Sequence, residues 1–267
     1  MSFKAEIIAD SITEHGNRLT SYVVTFPRIV LAEFNTHRMF SRNSASSRAI
    51  PFKKMVKSVR NNPFIPLGFQ KDHSGMQGTE YITGFKLKLV RLAWWAASRA
   101  AICTAMILNW LGVTKQICNR ILEPFMWHTV IVTSSEWENF FALRAQDQAE
   151  IHIQKLAYMM LEEYNKSAPK VLKAGEWHIP FGNNIDQNKA YNVFRENIGL
   201  IPNPEYHDDE LQKFFIKIAV ARCARVSYTV VGEESKGDNY LNDIKLYDRL
   251  LKSGHWSPFE HVRGPSK

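Results

Sequence analysis

The chain of 267 residues is poor in cysteine, has no dense block of like charge and carries no signal-like apolar start. Each lack removes a class of protein. Cys103, Cys118 and Cys223 are odd in number, far apart and form no Cys-x-x-Cys pair. That argues against a disulfide framework or a zinc cluster, predicts no metal site, and fits a reducing cytoplasm. The opening Met-Ser-Phe-Lys-Ala-Glu lacks the apolar stretch of a secretory signal. There is no internal repeat and no low-complexity tract. The nearest thing to a membrane span, Leu92 to Trp110, contains Arg99 and Asn109. A central Arg costs about 2.5–3.5 kcal/mol on the insertion scale, while each Leu or Ile returns about 0.3–0.6. The segment therefore reads as a buried helix of a soluble protein, and no membrane partner is expected.

What is present is ordinary globular material, 45% hydrophobic and 22% charged, enough for one large domain or two small ones. The formal charge of +8 points to anionic partners. Without a Lys/Arg block, small phosphorylated ligands are favoured over a nucleic-acid groove.

Residues 20–26 read as a strand closed by Pro27, and Arg28 to Asn35 has helical spacing. Ser41 to Ser47 is small and polar and reads as a loop, as does the Pro- and Gly-rich stretch 60–84. A long helix follows, with Leu92, Trp95, Ile102, Met106 and Trp110 on one stripe, ending near Gly112. Lys115–Leu122 is a short helix. Ser135 and Glu138 have the spacing of a capping box, predicting a helix through to about Tyr164 that sets Arg144, Gln148 and His152 on one face. Residues 165–206 have no sustained period and read as a long connection, a lid or a subunit arm. Helices are expected from about Asp209 to Arg222 and from Asn239 to Ser253, the latter capped by Gly254.

Chemistry concentrates between His37 and Arg48. Arg38, Arg42 and Arg48 alternate with Ser41, Asn43, Ser44, Ser46 and Ser47. Guanidinium forks bind phosphate bidentately, each charge-assisted bond contributing about 1.5–3 kcal/mol. The pattern is an anion cradle, or else a solvated Ser/Arg-rich surface loop.

The order of residues resembles a known signature. Thr36-His37-Arg38, seven residues, then Ser46-Ser47-Arg48, with Asn43 between, is similar to the Arg-His-Arg, seven residues, Ser-x-Arg motif of the flavin-dependent thymidylate synthases, the ThyX family. Asn139-Phe140-Phe141-Ala142-Leu143-Arg144 resembles that family's Asn-Phe-Leu-x-Leu-Arg helix. Arg120-Ile121-Leu122-Glu123-Pro124 resembles its Arg-Ile-Val-Leu-Pro, with Asn119 or Arg120 at the arginine position. Two further segments match out of order. Gly254-His255-Trp256-Ser257-Pro258-Phe259-Glu260-His261 is similar to Gly-His-x-Thr/Ser-Pro-Phe-Glu-His, and Ala224-Arg225-Val226-Ser227-Tyr228 to Ala-Arg-Val-Ser-Phe/Tyr. In the family both precede the strand leading to Arg-His-Arg, so their place here reads as a circular permutation, which needs only neighbouring surface termini.

The resemblance implies an α+β fold, a ThyX-like sheet with long packed helices in permuted order, forming a single catalytic domain over 1–267. It implies reductive methylation of dUMP to dTMP with FAD, NADPH and methylenetetrahydrofolate, in a homotetramer that shares the flavin between subunits. Carried over by position, His37, Arg38, Asn139, Ser227, Ser257 and Glu260 bind FAD. Ser46, Arg48, Arg120 and Arg144 hold the nucleotide. Ser46, Arg144 and His255 act in catalysis, His255 near the flavin or, in a blander reading, simply satisfied at a helix C-terminus.

Departures bear on the nucleotide. Thr36 replaces the first Arg of the motif, Glu33 stands for a frequent Gln, Ser44 for Glu, Ala49 for an aromatic and Gln148 for His. These leave open a related C5 modification of another pyrimidine nucleotide, such as dCMP methylation or a hydroxymethylation. A basic nucleic-acid binder using Arg42, Arg48, Lys53, Lys54, Lys57 and Arg60 is the rival of another class, with a steep salt dependence as its mark.

Overall fold

In the computed structural model, which describes residues 2–74, 78, 80–198, 204–229 and 239–264, two long strands make the frame. β1 (Lys4–Thr13) and β2 (Arg18–Pro27) pair antiparallel, with a bulge between Ile7 and Ala9. Their turn needs a left-handed residue, supplied by Gly16 at φ 86°. β3 (Ser41–Ser44) and β4 (Trp127–Ser134) extend the sheet beyond β2, and β5 (Lys170–Leu172) lies parallel to β1 at the other edge. The order β3-β4-β2-β1-β5 is thus a mixed five-stranded sheet.

Both faces are covered, which is why β2 is buried along nearly its whole length. Tyr22, Val24 and Phe26 point to one face and pack with Val130, Val132, Phe34, Phe40, Trp137, Phe140 and Leu156. Each such side chain fully buried contributes about 1.5–3 kcal/mol. Ser21 and Val23 point the other way, where Ile8, Ile131 and Cys223 meet.

The helices, in chain order, are α1 (Leu31–Phe34), α2 (Phe52–Asn61), α3 (Gly84–Trp110), α4 (Lys115–Ile121), α5 (Glu138–Arg144), α6 (Ile151–Lys166), α7 (Gln187–Ile198), α8 (Pro204–Arg225) and α9 (Tyr240–Lys252). α5 and α6 cover the first face of the sheet, and α8, with α9 against it, the second. The expected strand at 20–26, the short helix at 115–122 and the last helix all appear. Asn239 accepts the Asn242 N–H at the start of α9, and Gly254 leaves it at φ 69°.

Five expectations are corrected. Ser41–Ser44 is a strand rather than loop, because β4 offers it a partner edge. The proposed capping box does not form. Ser135 is exposed, and it is the Ser134 hydroxyl that accepts from the Glu136 N–H while Trp137 Nε1 donates to the Ser134 carbonyl. The helix then breaks after Arg144 and restarts at Ile151, where the Glu150 carboxylate caps His152 and Ile153; Arg144, Gln148 and His152 therefore share no helical face. Residues 165–206 are not a bare connection, since β5 and α7 lie within them, and α7 packs Ala190 and Phe194 against α8 and α9. Finally, α3 is not a buried helix. Its buried positions are Ser98, Ile102 and Ala105, while Leu92, Trp95, Met106 and Trp110 are exposed. Among the described residues no helix is long and apolar enough to cross a membrane.

Candidate active site

The segment after α1 is built around His37. Its ring is buried, stacked on Phe40 and edge-on to Phe140, with Nε2 accepting from the Arg144 Nε at 3.2 Å. Burial holds the imidazole below its ordinary pKa, and the nearby Arg144 and Arg42 push the same way. His37 is therefore neutral near pH 7.

Arg144 ends α5 and is held on three sides. Besides His37, one terminal nitrogen donates to Thr36 Oγ1 at 3.4 Å and the other lies 3.8 Å from the Glu33 carboxylate. Burial and the neighbouring Glu150 raise the Glu33 pKa, against the pull of Arg144 and His152. Arg42 stabilises the backbone rather than standing free, since it donates to the Asn35 and His37 carbonyls. Arg38 and Arg48 are exposed.

The second half of the cradle is locked from far along the chain. The buried Asn43 amide donates to the Cys223 carbonyl and accepts from the Ser227 hydroxyl at 3.2 Å. The Ser46 N–H donates to the Ser227 carbonyl at 2.9 Å, and Ser46 Oγ accepts from the Arg48 N–H. Arg225, forked onto Asp243 of α9, steadies the turn that carries Ser227. Ser47 donates to Glu123, which also meets Arg28.

The structure thus joins His37 to Arg144 and, separately, Ser46 to Ser227, with Arg38 and Arg48 exposed. It treats the α4 pair unequally. Asn119 is buried and donates to the Ser47 and Ile50 carbonyls, with its Oδ1 left without a partner, whereas Arg120 is exposed. Asn139 and Glu260 are also exposed. The turn at Phe259–His261 packs on β3 and β4. His255 is exposed at the end of α9, its Nδ1 3.2 Å from the Ser253 hydroxyl and its N–H bonded to the Leu250 carbonyl, which is the satisfied helix-end arrangement.

Sequence reasoning missed a buried polar chain behind the sheet. His178 is hydrogen-bonded with Ser11 at 2.7 Å and Ser21 at 2.8 Å; Ser21 meets Thr133, and Thr133 meets His261 at 2.8 Å. Alternating Ser and Thr inside apolar strands was the available signal. A cavity of about 620 Å³ lies on this outer side, between β1, β5 and residues 177–187, away from the cradle. Among the described residues no group of three or more His, Cys, Asp or Glu is placed to hold a metal ion.

Exposed guanidiniums, hydroxyls and a neutral imidazole beside an aromatic wall suit a ligand that is anionic at one end and a planar ring at the other. The family model described as thymidylate synthase complementing protein matches residues 8–170, and the chain belongs to that family. A solved UMP/dUMP methylase, PolB from Streptomyces cacaoi, shares the fold. Its complex with 5-Br dUMP superposes at a TM-score of 0.50 with 12% identity, covering 62% of this chain and 90% of that one. The complex with 5-Br UMP gives the same TM-score with 15% identity over 62% and 89%. No curated protein matches the sequence. The segments at 224–228 and 254–261 lie outside the matched range.

Proposed function

We propose that this protein methylates C5 of a pyrimidine nucleotide, converting dUMP to dTMP with methylenetetrahydrofolate as carbon source, FAD as prosthetic group and NADPH as reductant. The observation that carries the reading is Arg144, aimed by His37, Thr36 and Glu33. Addition at C6 of a pyrimidine builds enolate-like charge on its carbonyls, and a preorganised guanidinium stabilises that charge. Ser46, Arg48 and Arg120 hold the phosphate end, the two arginines being exposed and free to swing onto it. His37, Arg38, Asn139, Ser227, Ser257 and Glu260 hold the flavin, which when bound supplies the hydride. His37 suits an uncharged ring because it is itself neutral. His255 lies on the approach of folate or NADPH. The contacts of Asn43 and Ser46 with residues 223 and 227 support the permuted order, in which those segments precede β2 in the family. A flavin shared between subunits calls for a homotetramer.

The test is tritium release from C5-labelled dUMP by FAD-replete protein with NADPH and methylenetetrahydrofolate. Release is expected, and none would overturn the proposal. A second reading, a dCMP methylase or a hydroxymethylase, is favoured by Glu33, whose carboxylate beside Arg144 offers an acceptor to an exocyclic amine. Product masses from paired dUMP and dCMP incubations separate the two.

A further inference from the structure

The turn that carries Ser46 and Arg48 spends its own N–H groups on Ser46. Those of Ala49 and Ile50 donate to the Ser46 carbonyl, each at 3.0 Å, and that of Arg48 to the Ser46 hydroxyl. The carbonyls of Ser47, Ala49 and Ile50 take side-chain donors instead, all from α4. Asn119 Nδ2 donates to the Ser47 carbonyl at 2.8 Å and to the Ile50 carbonyl at 3.0 Å, and Lys115 Nζ to the Ala49 carbonyl at 3.2 Å. Glu123, on the helical turn Glu123–Phe125 that continues α4, accepts from the Ser47 hydroxyl and is met by Arg28 at 3.4 Å. Lys115, Asn119 and Glu123 are four residues apart, so they share one side of the helix. Between them, the buried Leu122 belongs to the same apolar cluster as Ile50.

We infer that this side of α4 is a clamp that sets affinity for the anionic end of the ligand, with Asn119 foremost and Glu123 and Lys115 behind it as positioning residues. The inference rests on the reading of Ser46, Arg48 and Arg120 as the phosphate grip. Ser47 precedes Arg48 and Asn119 precedes Arg120, so the Asn119–Ser47 bond ties together the two stretches of backbone that bear these exposed guanidiniums. Arginines on separate elements close on one phosphate only while the elements keep their spacing. Where they do not, the apparent affinity falls with the fraction of molecules in the binding shape. Asn119 is suited to the task because it is fully buried and already fixed, so binding orders it no further. Its Oδ1 has no partner among the described residues, so what the amide contributes there is its donors. Without them the carbonyls of two buried residues are left unpaired, and the turn opens to water rather than keep its shape. Lys115 is exposed and its bond counts for less.

Asn119→Asp keeps the volume and removes the amide donors. It is expected to raise both KM and the equilibrium dissociation constant for dUMP about tenfold, as when one molecule in ten holds the binding shape, while kcat at saturating dUMP stays within about twofold. Glu123→Ala should raise KM about threefold, and Glu123→Gln, which keeps an acceptor for the Ser47 hydroxyl, should restore it. This pair decides the matter if Asn119→Asp does not fold. Hydrogen exchange is a second readout that needs no nucleotide. The Arg48, Ala49 and Ile50 amides should exchange faster in Asn119→Asp while those of β2 and β4 keep their protection, which a general loss of stability would not spare. Unmodified protein that binds no dUMP would remove the nucleotide reading, and the exchange rates would then judge the clamp alone. Unchanged exchange in the turn, an unchanged KM in folded Asn119→Asp, a fall in kcat as large as the rise in KM, or Glu123→Gln as weak as Glu123→Ala would overturn the clamp.

Discussion

His37 and His178 are both buried and both held neutral by burial, on opposite faces of one sheet. His178 spends both ring nitrogens on Ser11 and Ser21, and the chain continues through Thr133 to His261 without meeting a charged partner. His37 instead accepts from a guanidinium, and the next residue, Arg38, faces outward. A polar network that turns inward, as this one does to end on the buried and unpartnered Nε2 of His261, specifies packing and register. One that ends on an oriented, partly exposed cation keeps interaction capacity for a ligand. The difference teaches that burial and a depressed pKa alone do not mark a site; what matters is where the chain of partners leads.

Removing the cation should break the comparison most sharply. Arg144→Ala is expected to lower nucleotide turnover about 10²–10³-fold, the usual loss of one charge-stabilising donor. His178→Phe should leave turnover per folded molecule unchanged while lowering stability by about 1–3 kcal/mol through the stranded hydroxyl of Ser11, since Ser21 keeps Thr133. Steady-state rates with denaturant midpoints check both, and equal losses of rate in the two variants would erase the distinction.

The buried histidines, His128 beside Arg28 among them, should also show in acid. Burial lowers His178 to about 4, and His261 and His128 to about 3, from an ordinary 6.5. Unfolded chain protonates at these positions as pH falls through about 6.5, while folded chain does not until near 4 or 3. Stability is therefore full above the unfolded value and falls with pH below it, by up to about 1.4 kcal/mol per pH unit for each histidine. Denaturant midpoints between pH 7 and 4 measure the slope, and His178→Phe should remove one proton from it. A flat profile would contradict the buried neutral state.

On the site face, Glu33→Gln should act on selectivity more than on rate. Replacing the carboxylate beside Arg144 by an amide frees the guanidinium for a uracil carbonyl and leaves a cytosine amine a weaker, uncharged acceptor. The expected change is about tenfold in the ratio of kcat/KM for dUMP over dCMP. An unchanged ratio would place Glu33 outside nucleotide recognition.

Much of this site could be read from local spacing, since Thr36 to Arg48 and Asn139 to Arg144 are each continuous in sequence. The locks could not. Asn43 to Cys223 and Ser46 to Ser227 join residues some 180 apart through backbone groups that carry no sequence signal. In the fold, β2 announced itself by its β-branched run, and α9 by its caps. β3 was hidden because Ser-Arg-Asn-Ser has no strand propensity of its own and is held by β4. α3 misled for the opposite reason. Its apolar residues encircle the helix, so periodicity found a real stripe without telling which face the core takes. Ser135 and Glu138 had the spacing of a capping box, but burial of Trp137 drew the turn onto Ser134 instead.

The smallest effect is expected at His255. Its ring is exposed at the end of α9, and only its backbone N–H closes the helix, a bond any residue can make. His255→Ala should therefore shift stability by no more than about 0.5 kcal/mol, as surface substitutions generally do. A residue on the approach of folate or NADPH contributes to binding equally in ground and transition states, so its loss raises KM for those substrates and spares kcat. Arg144→Ala, by contrast, lowers kcat and kcat/KM together. Saturation curves for folate and NADPH measured on both variants separate the two patterns. A drop in kcat for His255→Ala as large as that for Arg144→Ala would place His255 among the groups that act on the reacting atoms, and the cradle would then extend across the sheet edge to the end of α9.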